Sequence, residues 1–93
     1  MSYRITDVNF DSSKNDEFYA YADSLRDELK AVNGLKFVHV IDVDEGQCVI
    51  IARYDSEESA VAATETIQGI LAGMGQFMIA PPNRRGGPIT WEM

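Results

Sequence analysis

Two strand-like runs, 35–43 (LKFVHVIDV) and 47–54 (QCVIIARY), flank the tripeptide Asp44-Glu45-Gly46, and both are apolar on either side. A three-residue hairpin loop places two residues in the right-handed region and a third in the left-handed region, where glycine fits. Asp44-Glu45-Gly46 has that order. With Val43 set opposite Gln47, one face carries Leu35, Phe37, His39, Ile41 and Val43 beside Val49, Ile51 and Arg53. The other face carries Val38, Val40, Cys48, Ile50, Ala52 and Tyr54. An antiparallel strand with one wet face alternates apolar and polar residues. This hairpin does not alternate, so each of its faces needs a cover.

The remaining elements supply one cover. Residues 3–10 (YRITDVNF) read as a first strand, and Asp11, Ser12 and Ser13 offer helix caps after it. From Asn15 to Val32, Phe18, Tyr21, Ala22, Leu25, Leu29 and Val32 recur at helical spacing, and Asn33-Gly34 ends the helix. A second helix opens at Asp55 or Ser56, carries Glu57 and Glu58 in its first turn, and presents Val61, Thr64, Ile67, Ile70, Leu71 and Met74. Residues 76–80 (QFMIA) read as a short fourth strand that Pro81-Pro82 stops.

Strand–helix–strand–strand–helix–strand is the α+β, ferredoxin-like order: a four-stranded antiparallel sheet with two helices on one face. The expected domain is 1–80, and 81–93 is a C-terminal tail serving as an extra strand or a dimer arm. Two helices shield a single sheet face, so the other calls for a second copy of the chain. A self-paired homodimer through the sheet is the expected partnership. A chain of 93 residues buries little surface alone, which points the same way.

At this point the chain resembles the dimeric α+β barrel superfamily, which holds the cofactor-independent antibiotic-biosynthesis monooxygenases and the muconolactone-isomerase-like enzymes. The resemblance covers residues 3–80 and rests on element order, the doubly apolar hairpin and the stretch ARYDSEESAVAA, 52–63. It implies sheets packed face to face across a dimer, a pocket between sheet and helices, and no cofactor. The RNA-recognition motif shares the element order, but its third strand stacks bases on aromatics. The stretch from Gly46 to Ile51 has no aromatic and no basic residue.

Charge narrows the partners. Fifteen acidic and eight basic side chains leave a net charge of −7, which opposes nucleic acid and anionic membrane surfaces. No basic and apolar leader opens the sequence and no run approaches a membrane span, so a cytoplasmic location is expected.

Few residues carry chemistry. His39 is the lone histidine and the catalytic candidate, since imidazole exchanges protons near neutrality. Opposite Ile51 and diagonal to Arg53, it shares a face with a cation suited to an anionic or enolate-like small molecule. Arg53, Tyr54 and Trp91 are the ligand-binding candidates; Trp91 anchors the tail or closes a pocket mouth. Arg84 and Arg85 read as solvated loop charges, and Asp7 and Asn9 as exposed strand-end groups. Cys48 lacks an activating neighbour, one histidine and one cysteine make a poor metal set, and no glycine fingerprint fits a nucleotide. Two functions follow. One is a small-molecule-binding homodimer working as a cofactor-independent monooxygenase or isomerase on an aromatic or anionic metabolite. The other is a non-catalytic dimeric module for ligand sensing or assembly.

Overall fold

A computed structural model describes residues 1–93. The first strand, β1 (Ser2–Asn9), leads through a 3-10 turn at Ser12–Lys14 into α1 (Asn15–Ser24) and α2 (Arg26–Lys30). The hairpin follows as β2 (Leu35–Asp44) and β3 (Gln47–Tyr54), then α3 (Glu57–Leu71) and β4 (Asn83–Pro88). The sheet is antiparallel in the order β2-β3-β1-β4, with the helices on one face. That is the expected ferredoxin-like architecture.

Three local details differ from the sequence expectation. The helix expected over 15–32 breaks at Leu25, where the Ser24 hydroxyl donates to the Tyr21 carbonyl at 2.6 Å. Such a back-bond competes with the helical ladder and bends it. Leu25 stays buried at the break, so the apolar stripe survives.

The second difference is larger. Residues 76–80 are not the fourth strand. After α3 the chain continues as a 3-10 turn over Ala72–Phe77, which brings Met74 and Phe77 onto one side and into the core. Side chains three apart eclipse in a 3-10 helix, which turns an apparent strand into a helical stripe. The fourth strand is Asn83–Pro88, within the segment read as a tail, and it pairs with β1 from Ser2↔Pro88 to Asp7↔Asn83. Its two glycines and terminal proline disguise it; an edge strand tolerates both.

The third is a bulge. Leu35 pairs with Tyr54 but Phe37 pairs with Arg53, so Lys36 is extra and Leu35 turns to the helix face. Beyond it the expected register holds, with His39 opposite Ile51. Gly46 takes φ +69°, as the loop requires, and its carbonyl accepts from the Phe10 amide at 2.8 Å. The turn itself departs from expectation: Asp44, not Val43, pairs with Gln47, so the loop is the two residues Glu45-Gly46, and Val43 is an extra residue whose bulge restores the pairing of His39 with Ile51.

Two clusters make the core. Phe18 stacks on Phe10 at 4.4 Å and meets Phe77 edge-on at 6.1 Å, with Val8, Leu25, Cys48, Ile50 and Met74 around them. Ala60 and Ala63 let α3 lie close over Tyr54, with Ile67 beside them. Ser56 caps α3, its hydroxyl accepting from the Ser59 amide at 3.0 Å. No helix is long and apolar enough to cross a membrane.

Candidate functional site

A cavity of about 410 Å³ opens between the helix face of the sheet and the far half of α3. Its size suits a small organic molecule. Register builds its floor. Arg84, Thr6, Ile50 and Val40 form one row across the four strands, and Gly86, Arg4, Ala52 and Val38 form the next. Ile67, Leu71 and Met74 close the cavity from the helix side, with Met78 and Pro82 at its end. The walls come from both core clusters, so the cavity interrupts otherwise continuous packing.

Polar groups are few in this lining: Arg4, Thr6, Tyr54, Gln68 and Arg84. Arg4 is already engaged. Its guanidinium donates to Glu57 Oε1 at 2.7 Å and to the Tyr3 carbonyl at 3.0 Å. Ser2, fully buried, donates its hydroxyl to the other Glu57 oxygen, and the same Oγ lies 3.0 Å from the Gly87 carbonyl. Hydrogen bonding from Arg4, then from Ser2, holds the Glu57 carboxyl below its ordinary range.

Tyr54 and Arg84 are not engaged. Tyr54 is 0% exposed, yet its hydroxyl has no hydrogen-bond partner. Burial pushes the phenol above its ordinary range, and the charges of Arg84 and Arg4 pull partly against it. At neutral pH the group is therefore a proton-bearing donor with nothing to donate to. Arg84 lines the same cavity, half-buried, and forms no ion pair. A buried donor and a free cation thus border one apolar cavity, the combination of groups by which an ionised oxygen is generally bound.

The sequence-derived candidates divide. Tyr54 lies in the cavity. His39 and Arg53 share a face as expected, but it is the opposite, helix-free face of the sheet. There His39 is exposed and stacked on Phe37 at 4.3 Å. Phe37 meets Tyr3 edge-on at 6.2 Å. Arg53 lies between Tyr3 and Phe37 in register, its Nη2 against the Met1 sulfur and its Nε sealed without a partner. Trp91 is 78% exposed beyond β4, in neither this cavity nor its mouth. Asp7 meets Arg85 at 3.4 Å on the helix-free face. Cys48 is buried and its thiol is pushed up to about 11 by desolvation, then by the Asp42 charge, so it is inert at neutral pH. No three His, Cys, Asp or Glu side chains converge as metal ligands would.

Arg4, Thr6, Gln68 and Arg84 are the polar cavity residues sequence reasoning missed. Arg84 could be found only after Asn83–Pro88 is known to be a strand, because the alternation along β4 decides which arginine points inward.

No family model matches the chain, and no curated protein does. Solved structures do. A candidate antibiotic biosynthesis monooxygenase of Caulobacter crescentus superposes with a TM-score of 0.80 at 17% identity, over 97% of this chain and 90% of that one. A candidate enzyme of the same description from Nitrosomonas europaea gives 0.75 at 15%, over 98% and 100%. This chain has the antibiotic biosynthesis monooxygenase-like fold. A monooxygenase of Streptomyces coelicolor, solved in complex with the ligand nanaomycin D, gives a TM-score of 0.79 at 12%, over 99% and 89%. At such identities the likeness is one of fold, and it matches the superfamily resemblance drawn from the hairpin.

Proposed function

We propose that this chain binds a largely apolar small molecule through one polar oxygen, in the cavity between its sheet and α3. The observation that carries this reading is the Tyr54 hydroxyl, sealed from water and bonded to nothing. Leaving a buried donor unpaired costs about 1–3 kcal/mol. A ligand oxygen at that point recovers the cost, and Arg84 adds charge assistance when the oxygen is a phenolate, enolate or carboxylate.

The enzymatic form of the proposal is a monooxygenase or isomerase acting on an aromatic or anionic metabolite. It draws on neighbours described as monooxygenases, one of them with a bound ligand. Both chemistries pass through an oxygen that gathers negative charge, and Tyr54 with Arg84 are placed to stabilise it. One observation keeps the non-catalytic reading in play. No carboxylate, imidazole or thiol lines the cavity, so no side chain there stands ready to take a proton. A substrate would have to enter already ionised, or the site only binds.

The same proposal includes a homodimer through the helix-free sheet face. That face presents Tyr3, Ile5, Phe37, Val49 and Ile51, with Ile41 43% exposed. The chain exposes 5989 Å² at 10.4 kDa, against about 5,400 Å² for a compact monomer of that mass. A second copy on this face would cover the apolar excess and bring His39 and Arg53 into the interface.

Calorimetric titration with 2-naphthol and with 2-methylnaphthalene, which lacks the oxygen, tests the site. The expected result is about tenfold preference for 2-naphthol, the worth of one good hydrogen bond, abolished in Tyr54→Phe. Equal affinity of the folded wild-type protein for both probes, or a preference that Tyr54→Phe retains, would overturn it.

A further inference from the structure

Two cations line the ligand cavity, and only one of them is free. Arg4 and Arg84 are the charged residues of that lining. On the helix-covered face Arg84 pairs with Thr6 and Tyr54 pairs with Ser2, so each stands diagonal to Arg4, one on either side. Arg4 is therefore the middle of a polar line that crosses β3, β1 and β4. Both guanidinium charges act on the Tyr54 hydroxyl, that of Arg84 the more strongly.

The sequence makes room for Arg4. Gly86 lies directly opposite it on β4, and a Cβ there would come within 2.6 Å of the Arg4 Cδ and 2.9 Å of its Nη1. The arginine fills the space a side chain at 86 would take, and from there its Nη2 reaches Glu57 Oε1 at 2.7 Å. Glu57 opens α3 and lines no part of the cavity, so it cancels a lining charge from outside. Arg4 and Ser2 hold its carboxylate in the ionised form, and Arg84 has no share in that. The other nearby acids are turned elsewhere. Asp55, next to Tyr54 along the chain, faces Ser59 and Lys36, and Asp7 meets Arg85 on the opposite sheet face. Two cations and one bonded carboxylate leave a single uncompensated positive charge.

We infer that Glu57 sets the charge class of the ligand: by cancelling Arg4 it fits the cavity to an apolar monoanion, best a monocarboxylate, and excludes dianions. This rests on the cavity being a ligand site. A carboxylate can accept from Tyr54 with one oxygen and meet Arg84 with the other. A neutral ligand leaves Arg84 without a partner. A dianion brings a second charge into an apolar enclosure where nothing remains to pair with it, and burying an unpaired charge is costly. Glu57 touches no ligand in this scheme. It is a positioning residue that acts through Arg4.

Calorimetric titration at neutral pH with 2-naphthoate, its neutral isostere 2-naphthamide and the dianion naphthalene-2,3-dicarboxylate tests it. Wild type is expected to prefer 2-naphthoate to each of the others by about tenfold. Glu57→Gln keeps an acceptor for Arg4 but uncovers its charge, and is expected to raise the affinity ratio of dicarboxylate to 2-naphthoate by about tenfold. Arg84→Met removes the free charge and is expected to abolish the preference for 2-naphthoate over 2-naphthamide. The inference is overturned if wild type binds the dianion as well as the monoanion, or if Glu57→Gln, folded by circular dichroism, leaves the ratio where it was. A dianion excluded by size alone would give that second result. The wild-type ratios and Arg84→Met decide the matter even where Glu57→Gln does not fold. Binding of 2-naphthol without these charge preferences would overturn the inference alone, whereas failure of wild type to bind any of the four probes would overturn it together with the cavity reading.

Discussion

Tyr54 is held by packing and left without a hydrogen-bond partner, so its ring and its hydroxyl have separable roles. Replacing Tyr54 by Phe keeps the ring against Ala60 and Ala63 while removing an unpaired buried donor. The variant is therefore expected to be at least as stable as the wild type, by up to about 1–2 kcal/mol, as measured by urea unfolding. A loss of stability of that size would mean that the hydroxyl has a partner in the folded protein. Tyr54 was a ligand-binding candidate in the sequence, and its place on the helix-covered face of β3 sets it beside the cavity. Arg84 was not, because charge beside glycines reads as a solvated loop until the register with Thr6 assigns it a face. His39 illustrates the opposite case. Its register was legible, but the sequence does not say which face the helices cover, and that choice removes it from the cavity.

Glu57 shows how elements are tied together. It opens α3, and its carboxylate joins Arg4 and Ser2 of β1, so a strand and a helix start are fastened at one point. Its carboxyl titrates below the ordinary range, chiefly because Arg4 bonds the ionised form. The stabilisation is then complete above the ordinary glutamate pKa and disappears as pH falls through the lowered value. Wild type is expected to melt above Glu57→Gln at neutral pH, with the gap closing as the solution is acidified. A gap that stays constant through the acidic range would show that the carboxylate's charge is not what matters. The hairpin loop is one residue shorter than expected because Asp44 extends β2, but the hairpin strands, both helical regions and the cap of α3 were legible from periodicity and capping chemistry. The fourth strand was not. Met74 and Phe77 hide a 3-10 stripe inside a strand-like run, while Asn83–Pro88 becomes a strand only because β1 offers it an edge.

For the whole molecule, the proportions decide the argument. Only 13 of 93 residues are buried, and one sheet face carries aromatic and branched side chains without helices over it. Light scattering at micromolar concentration is expected to give about twice the 10.4 kDa chain mass, and Ile51→Asp on the open face is expected to return it to one chain. A wild-type mass of one chain would contradict the proposed dimer while leaving the cavity untouched. The claim on which the functional account depends is that the cavity under α3 receives an oxygen-bearing apolar molecule, and the four methionines offer a direct view of it. Met74 and Met78 line that cavity, Met1 lies on the opposite sheet face and Met93 is fully exposed. In a protein labelled with ¹³C at the methionine methyls, titration with 2-naphthol is expected to move the Met74 and Met78 resonances and leave Met1 and Met93 in place. Shifts confined to Met1 or Met93, or no shift at saturating 2-naphthol, would contradict the account.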